Sequence, residues 1–304
     1  MENQITYLTT RLRWFALTVA ILAVCFAFPL WKLFRFAAGS DLYSYILLIP
    51  FISLYLVWLE RGSLPATMRP ARWLAAVFLL AGAALFAAHW LWIRQSFPAI
   101  ADYLVTMTFC FLLFFYGITA WFWGAETLRA AAFPLSFLIL AVPIPPTLVD
   151  AMNSFLQWGS SLAAGTFFSL SDTAFIQDGL TFQLQNIKLE IAPECSGIHS
   201  TIVLFITALL LGHIFLRTPW KRMVLVLLVV PLGMLRNGFR VFVIGQLCIH
   251  LGPQMIDSPI HRKGGPLFFV LSLIPLFLTL LVLQRSEKRC PKPIANIQNQ
   301  PCAN

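Results

Sequence analysis

Eight apolar runs, each about long enough to cross a lipid bilayer, constrain the fold of this chain more than any other feature. A membrane-spanning helix needs about 20 mostly apolar residues. Because 59% of the residues are hydrophobic and only 11% are charged, a soluble domain could not bury this much apolar surface. We therefore predict an all-α polytopic membrane protein with about eight transmembrane helices. The runs fall at about residues 14–37, 43–59, 73–93, 100–122, 129–146, 197–216, 220–247 and 265–283.

The charged residues between these runs predict the orientation of the chain in the membrane. If the N-terminus is cytoplasmic, the cytoplasmic side carries about twice as many Lys and Arg residues as the opposite side, as the positive-inside rule requires. The net charge of +9 then reflects orientation in the membrane rather than binding to nucleic acid. We predict that both termini are cytoplasmic, that residues 1–283 form one transmembrane domain, and that residues 284–304 form a short cytoplasmic tail.

One long loop, at about residues 147–196, follows the fifth predicted span on the extracytoplasmic side. Its first part spaces Leu148, Met152, Phe155 and Leu162 as an amphipathic helix at the outer membrane surface would. Its second part alternates apolar and polar residues around turn-forming pairs, which is typical of a short β-hairpin of two or three strands. The hairpin leads to the outer end of the sixth span.

A cysteine lies at this point, in the segment "PECSGIHST". Ser196 and Gly197 are suitable cap residues for the helix of the sixth span, so Cys195 lies at or just before its N-terminus. The helix dipole lowers the pKa of a thiol there, whereas Glu194 opposes this effect. Cys195 is therefore a possible reactive thiol, and a disulfide with Cys248 is the alternative in an oxidising compartment.

The seventh span contains charged and polar residues at hydrocarbon depth. Arg236 and Arg240 are four residues apart and share one helix face, with Asn237 beside them. Charges at this depth are costly and mark functional sites by default. The alternative is that these arginines extend to the membrane surface or pair with an acid such as Asp102, Asp150 or Glu194.

A third polar segment, "IHRKGG", precedes the eighth span on the outer side. It contains His261, whose imidazole can exchange protons near neutral pH. A solvated histidine without a role is the simpler interpretation of the spacing alone. His199 is the alternative base, because it lies four residues after Cys195 on the same helix face.

Together, "PECSGIHST", "RNGFRVF" and "IHRKGG" resemble the three signature blocks of the exosortase/archaeosortase family. The resemblance implies a membrane-embedded cysteine protease or transpeptidase that processes C-terminal sorting signals. It implies a catalytic set of Cys195 as nucleophile, Arg240 for oxyanion stabilisation and His261 as general acid and base. A histidine at the third position is similar to the bacterial branch. The matching blocks also contain the supporting residues Glu194, Ser196, Gly197, Arg236 and Asn237.

The same resemblance implies the partners and the location. The expected substrates are membrane-anchored proteins whose sorting signal combines a short Pro-Glu-Pro-like motif, a transmembrane helix and a basic end. The site would lie on the periplasmic side of the bacterial inner membrane, in contact with lipids, and would use no cofactor or metal.

Two other classes of function remain open from the residues alone. One is a transporter in which the buried arginines line a pathway, and the other is a membrane transferase acting on a lipid or exopolysaccharide precursor. Metal-binding, nucleotide-binding and serine-hydrolase motifs are absent from the sequence, which disfavours those classes.

Overall fold

The computed structural model describes residues 2–63, 65, 69–94, 99–185, 187–191, 196–252, 254–255 and 265–287. These residues are mostly helical, as the apolar runs predicted. They divide into two compact units, Met1–Pro146 and Thr147–Asn304, each with apolar core clusters of its own.

The first unit consists of helices and short helical turns. Three of the turns are 3-10 turns and one is a π turn. The helices are α1 (Glu2–Cys25), α2 (Ala27–Ala38), α3 (Ile49–Glu60), α4 (Arg72–Ala88), α5 (Ile100–Ala130) and α6 (Ala132–Phe137), and the turns are Ser44–Leu47, Arg61–Ser63, Leu138–Ala141 and the π turn His89–Ile93.

The first predicted span is bent. Helices α1 and α2 meet at an angle of 72°, and Pro29 lies four residues after Cys25, the last residue of α1. A proline removes an N–H donor and clashes with the carbonyl four residues earlier, which explains a break at this point. Helices α4 and α5 pack closely where Gly82 leaves room for Leu113 and Gly117 leaves room for Leu79.

The second unit combines helices with one small sheet. Its strands follow the order β1-β2-β3 and both pairs are antiparallel, with Ile176 opposite Gln183 and Phe182 opposite Leu189. This three-stranded sheet confirms the predicted short hairpin of two or three strands. The elements are α7 (Pro146–Leu170), β1 (Ile176–Asp178), β2 (Thr181–Leu184), β3 (Ile187–Glu190), α8 (Ile198–Phe215), α9 (Pro219–Leu227), α10 (Val229–Leu251) and α11 (Gly265–Arg285).

The sheet packs on the C-terminal halves of α7 and α10. Phe168 of α7, Phe182 of β2 and Cys248 of α10 are all buried in one apolar cluster. Cys248 is a free cysteine in this structure, and Cys195, its partner in the alternative disulfide, lies outside the described residues. Burial in a tight apolar cluster is a common environment for a structural thiol.

Helices α7 and α10 run side by side in the same direction. Gly159 of α7 faces Met234 of α10, and Gly245 of α10 faces Phe168. Because both members of these contact pairs increase along the chain, the two helices are parallel. Glycine and alanine at the contact let the backbones approach, as in membrane helix pairs.

The predicted count of eight spans is not confirmed among the described residues. Among the described residues, five helices are long and apolar enough to cross a membrane, and the number rises to seven if two bent pairs are counted as single spans. Residues 43–59 contain the 3-10 turn Ser44–Leu47 and most of the 12-residue helix α3, which alone is shorter than the roughly 20 residues a span needs. Residues 129–146 contain the six-residue helix α6 and a 3-10 turn, because Pro134, Pro143, Pro145 and Pro146 limit regular helix there.

Candidate active site

The structure describes part of the predicted site. Cys195, Glu194 and His261 lie outside the described residues. Ser196, Gly197 and His199 belong to the first block and lie at the start of α8. Arg236, Asn237 and Arg240 belong to the second block and lie in α10.

Gly197 forms the sharp turn that begins α8. Its φ of 72° lies in the left-handed region, which glycine adopts without the steric cost that a side chain brings. Its carbonyl oxygen accepts hydrogen bonds from the Thr201 backbone N–H at 3.0 Å and from Thr201 Oγ1 at 2.9 Å. It also accepts one from Ser200 Oγ at 3.1 Å. The residue two positions after Cys195 is therefore held firmly by the first turn of α8.

Arg236 connects this turn to α10. Its Nη2 donates to the Gly197 carbonyl at 3.0 Å and to Thr201 Oγ1 at 3.3 Å. The side chain is only 8% exposed. A Cβ on Gly197 would lie 2.6 Å from Nη2, so the close approach of the guanidinium also requires glycine there. In this structure Arg236 binds a carbonyl and a hydroxyl, which gives it a structural role at the junction of the first two blocks.

Arg240 lies one turn beyond Arg236 along α10 and is half-buried. The rise of 1.5 Å per residue places its Cα about 6 Å further along the helix axis. The two guanidinium groups therefore share one face of α10, and Arg236 places one of them at the start of α8. Such charge stabilises a nearby anion, and more strongly in a poorly solvated region than in water.

Asn237 and Ser196 bind a part of the molecule that the sequence motifs did not indicate. Asn237 Nδ2 donates to Ser160 Oγ at 3.1 Å, and Ser196 Oγ donates to Asn153 Oδ1 at 2.7 Å. Ser160 and Asn153 both belong to α7. All four side chains are buried or half-buried, so α7 forms one wall of the site.

A third residue of α7 contacts the chain just before Cys195. Gln157 Nε2 donates to the Ile191 carbonyl oxygen at 2.7 Å, and Gln157 is buried. The sequence-based prediction of this helix used its apolar positions and therefore missed its polar residues. The spacing of Asn153, Gln157 and Ser160, at i, i+4 and i+7, was the signal that could have revealed them.

His199 is exposed in the first turn of α8. Among the described residues, no group of three or more His, Cys, Asp or Glu side chains could hold a metal ion. What the described part of the site offers is a helix N-terminus, two guanidinium groups and a polar wall, an arrangement suited to stabilising negative charge.

This fold and site define a class of multi-pass membrane protein. In it, a buried arginine on one helix donates a hydrogen bond to the turn that begins a neighbouring helix. No curated protein and no solved structure shows significant similarity to the chain. The family model of the transmembrane exosortases (Exosortase_EpsH), however, matches residues 36–278. The chain belongs to this family. Membership of this family suggests a membrane protein involved in the processing of sorting signals. It is also consistent with the class of membrane peptidases and transpeptidases.

Proposed function

We propose that this exosortase is a membrane-embedded cysteine protease or transpeptidase that cleaves the C-terminal sorting signals of exported proteins. The observation that carries the proposal is the hydrogen bond from Arg236 to the Gly197 carbonyl. It brings together two motif blocks that are 39 residues apart at this bond. Cys195 precedes Gly197 by two residues, and Arg240 follows Arg236 by one helical turn, so both belong to segments that meet.

The proposed reaction is acyl transfer through the sulfur of Cys195. The thiolate attacks the carbonyl carbon of the scissile peptide bond, a C–S bond forms, and the C–N bond breaks to leave a thioester. His261 accepts the thiol proton and returns it to the leaving amine. Water, or an amine or hydroxyl acceptor, then attacks the thioester and regenerates the thiol.

Arg240 is proposed to stabilise the oxyanion of the tetrahedral intermediates. A fixed cation in a poorly solvated site acts more strongly on developing charge than the same cation in water. The half-buried position of Arg240 on α10 supports this role. Arg236, which is bonded to the Gly197 turn, is instead the residue that joins the two segments.

The proposed substrate is a membrane-anchored protein with a short Pro-Glu-Pro-like motif, a transmembrane helix and a basic cytoplasmic end. A site at the outer end of α8 would meet the motif where it leaves the lipid. The enzyme would lie in the bacterial inner membrane with both termini cytoplasmic and the site on the periplasmic side.

Co-expression with a sorting-signal substrate tests this proposal. We expect Cys195→Ala to abolish cleavage while the protein still inserts into the membrane. Cys25→Ala is the matched control, because Cys25 is a free, exposed cysteine in α1, and it should retain cleavage. Arg240→Ala should lower kcat by about 10²–10³-fold, as loss of an oxyanion donor does. Cleavage is measured by the mobility shift of the substrate on an immunoblot.

Normal cleavage by Cys195→Ala would overturn the thiol mechanism and favour the transporter or transferase class. His261→Ala and His199→Ala, compared in the same assay, decide which histidine transfers the proton. We expect loss of cleavage with His261→Ala only.

A further inference from the structure

Helix α7 contacts the chain on both sides of the proposed nucleophile. Gln157 Nε2 donates to the carbonyl of Ile191 at 2.7 Å, and Asn153 Oδ1 accepts from Ser196 Oγ at 2.7 Å. Asn153 and Gln157 are four residues apart, so they share one face of the helix. Residues 192–195 connect the two contact points, and Cys195 is bonded covalently to Ser196.

We propose that Asn153 and Gln157 are positioning residues that set the location of the Cys195 thiol. The inference rests on the proposed function of Cys195, but the two contacts are independent of it. Only four residues connect Ile191 to Ser196, and Cys195 is the last of them, so both contacts act on the chain within a few bonds of the thiol. A misplacement of about 1 Å of a reacting group can cost on the order of 10²-fold in rate.

The hydroxyl of Ser196 takes part in two hydrogen bonds, one as donor and one as acceptor. It donates to Asn153 Oδ1 and also accepts from the Ile198 backbone N–H at 3.3 Å. Ser196 is 1% exposed, so water does not compete for either bond. The side chain of Ser196 therefore links α7 to the first turn of α8, at the residue next to Cys195.

The two contacts require opposite hydrogen-bonding groups on α7. The Ile191 carbonyl can only accept, so Gln157 must present its amide nitrogen. The Ser196 hydroxyl donates in this structure, so residue 153 presents an oxygen. This difference yields a matched pair of variants, since Asn153→Asp and Gln157→Glu each add one carboxylate to the same helix face.

We expect Asn153→Asp to keep the larger part of kcat, because a carboxylate oxygen still accepts from Ser196. We expect Gln157→Glu to lower kcat by about 10–100-fold with KM changed less than about threefold, because the carboxylate faces the Ile191 carbonyl without a donor. Gln157→Met removes the donor without adding charge and should give the same kcat loss if Gln157→Glu fails to fold. Ser154→Ala is the control on the same helix, since Ser154 is exposed and its Oγ bonds the Asp150 carbonyl of α7.

A second measurement keeps the test separate from the proposed reaction. In a background where Cys195 is the only cysteine, the rate of alkylation by a membrane-impermeant maleimide reports on the thiol directly. We expect Gln157→Glu and Gln157→Met to change this rate by about tenfold or more, and Asn153→Asp and Ser154→Ala to change it little. If wild-type protein does not cleave the substrate but this pattern appears, only the proposed function fails. Equal kcat and alkylation rates in wild type, Gln157→Glu and Gln157→Met, or equal losses in both acidic variants, would overturn the positioning role.

Discussion

At the scale of single residues, Gly197 has the strictest requirements in the described part of the site. Its left-handed φ disfavours any side chain, and the guanidinium of Arg236 occupies the space that a Cβ would need. The sequence indicated a cap residue at this position. It could not indicate the contact with Arg236, which depends on how α8 and α10 pack.

Gly197→Ala should therefore destabilise the protein and reduce cleavage together. The left-handed conformation costs a residue with a Cβ about 1–2 kcal/mol, and displacement of Arg236 adds to this cost. Gly179→Ala is the matched control, because Gly179 has a φ of 60° and a Cβ added there would meet no other atom within 4 Å. The comparison is made by thermal unfolding in detergent and by the cleavage assay.

We expect the Gly179→Ala variant to lose stability only through backbone strain and to keep cleavage. The additional loss in Gly197→Ala is then the effect of the contact with Arg236. Equal losses of stability in the two variants, with cleavage retained in both, would show that this contact is unimportant.

At the scale of helices and strands, local pattern predicted most of the elements. Residues 197–216 were predicted as a span and form α8, residues 265–283 form most of α11, and the alternating segment after Leu170 forms the sheet. The misses arose where proline interrupts an apolar run, as at residues 129–146, because hydropathy measures transfer to lipid and not helix continuity. The polar wall on α7 was missed because its partners lie far away in the chain.

The C-terminal end of α11 shows a contact of this long-range kind. Glu287 accepts hydrogen bonds from the backbone N–H groups of Arg217 and Thr218, at the turn between α8 and α9. Lys221 of α9 donates to Ser286 Oγ at 2.7 Å. Partial burial alone would raise the pKa of Glu287, but these hydrogen bonds and the charge of Lys221 outweigh it and lower the pKa.

A carboxylate whose pKa is lowered by folding stabilises the protein above its unfolded pKa and loses this effect as pH falls through the folded pKa. We therefore expect Glu287→Gln to lower the Tm in detergent at neutral pH. Because Glu287 is largely solvated, the loss is at most about 1 kcal/mol, or about 2–4 °C. The difference should begin to shrink as the pH falls below the ordinary Glu pKa of about 4.3 and vanish below the lowered pKa of the folded state. A difference that is the same at all pH values would mean that the charge of Glu287 is not involved.

At the scale of the whole molecule, α7 decides how the chain crosses the membrane. The sequence predicted a span at residues 129–146 followed by an amphipathic helix on the outer surface. In the structure α7 is 25 residues long, enough for about 37 Å at 1.5 Å per residue. It lies parallel to α10 over the depth that contains the buried arginines. If α7 spans the membrane or if it lies on the outer surface, residues 171–196 follow on the outer side. The predicted location of the site therefore does not distinguish the two assignments of α7.

The surfaces of α7 favour a membrane-embedded helix. Its packed face carries small and polar residues such as Gly159 and Ser160, whereas Leu148, Phe155 and Trp158 on the other face are more than half exposed. Large apolar side chains outward and small or polar ones inward are typical of helices in lipid. A helix on the membrane surface would instead expose a polar face to water.

Cysteine labelling from outside the cell membrane separates the two arrangements. In a cysteine-free background we expect Phe155→Cys and Trp158→Cys to resist a membrane-impermeant maleimide until detergent is added, because lipid covers both positions. Lys188→Cys, on an exposed position of β3, should react at once and serves as the control for access. If Phe155→Cys reacts as fast as Lys188→Cys in intact spheroplasts, α7 lies outside the membrane as the sequence predicted. The fifth span must then be sought between residues 129 and 146.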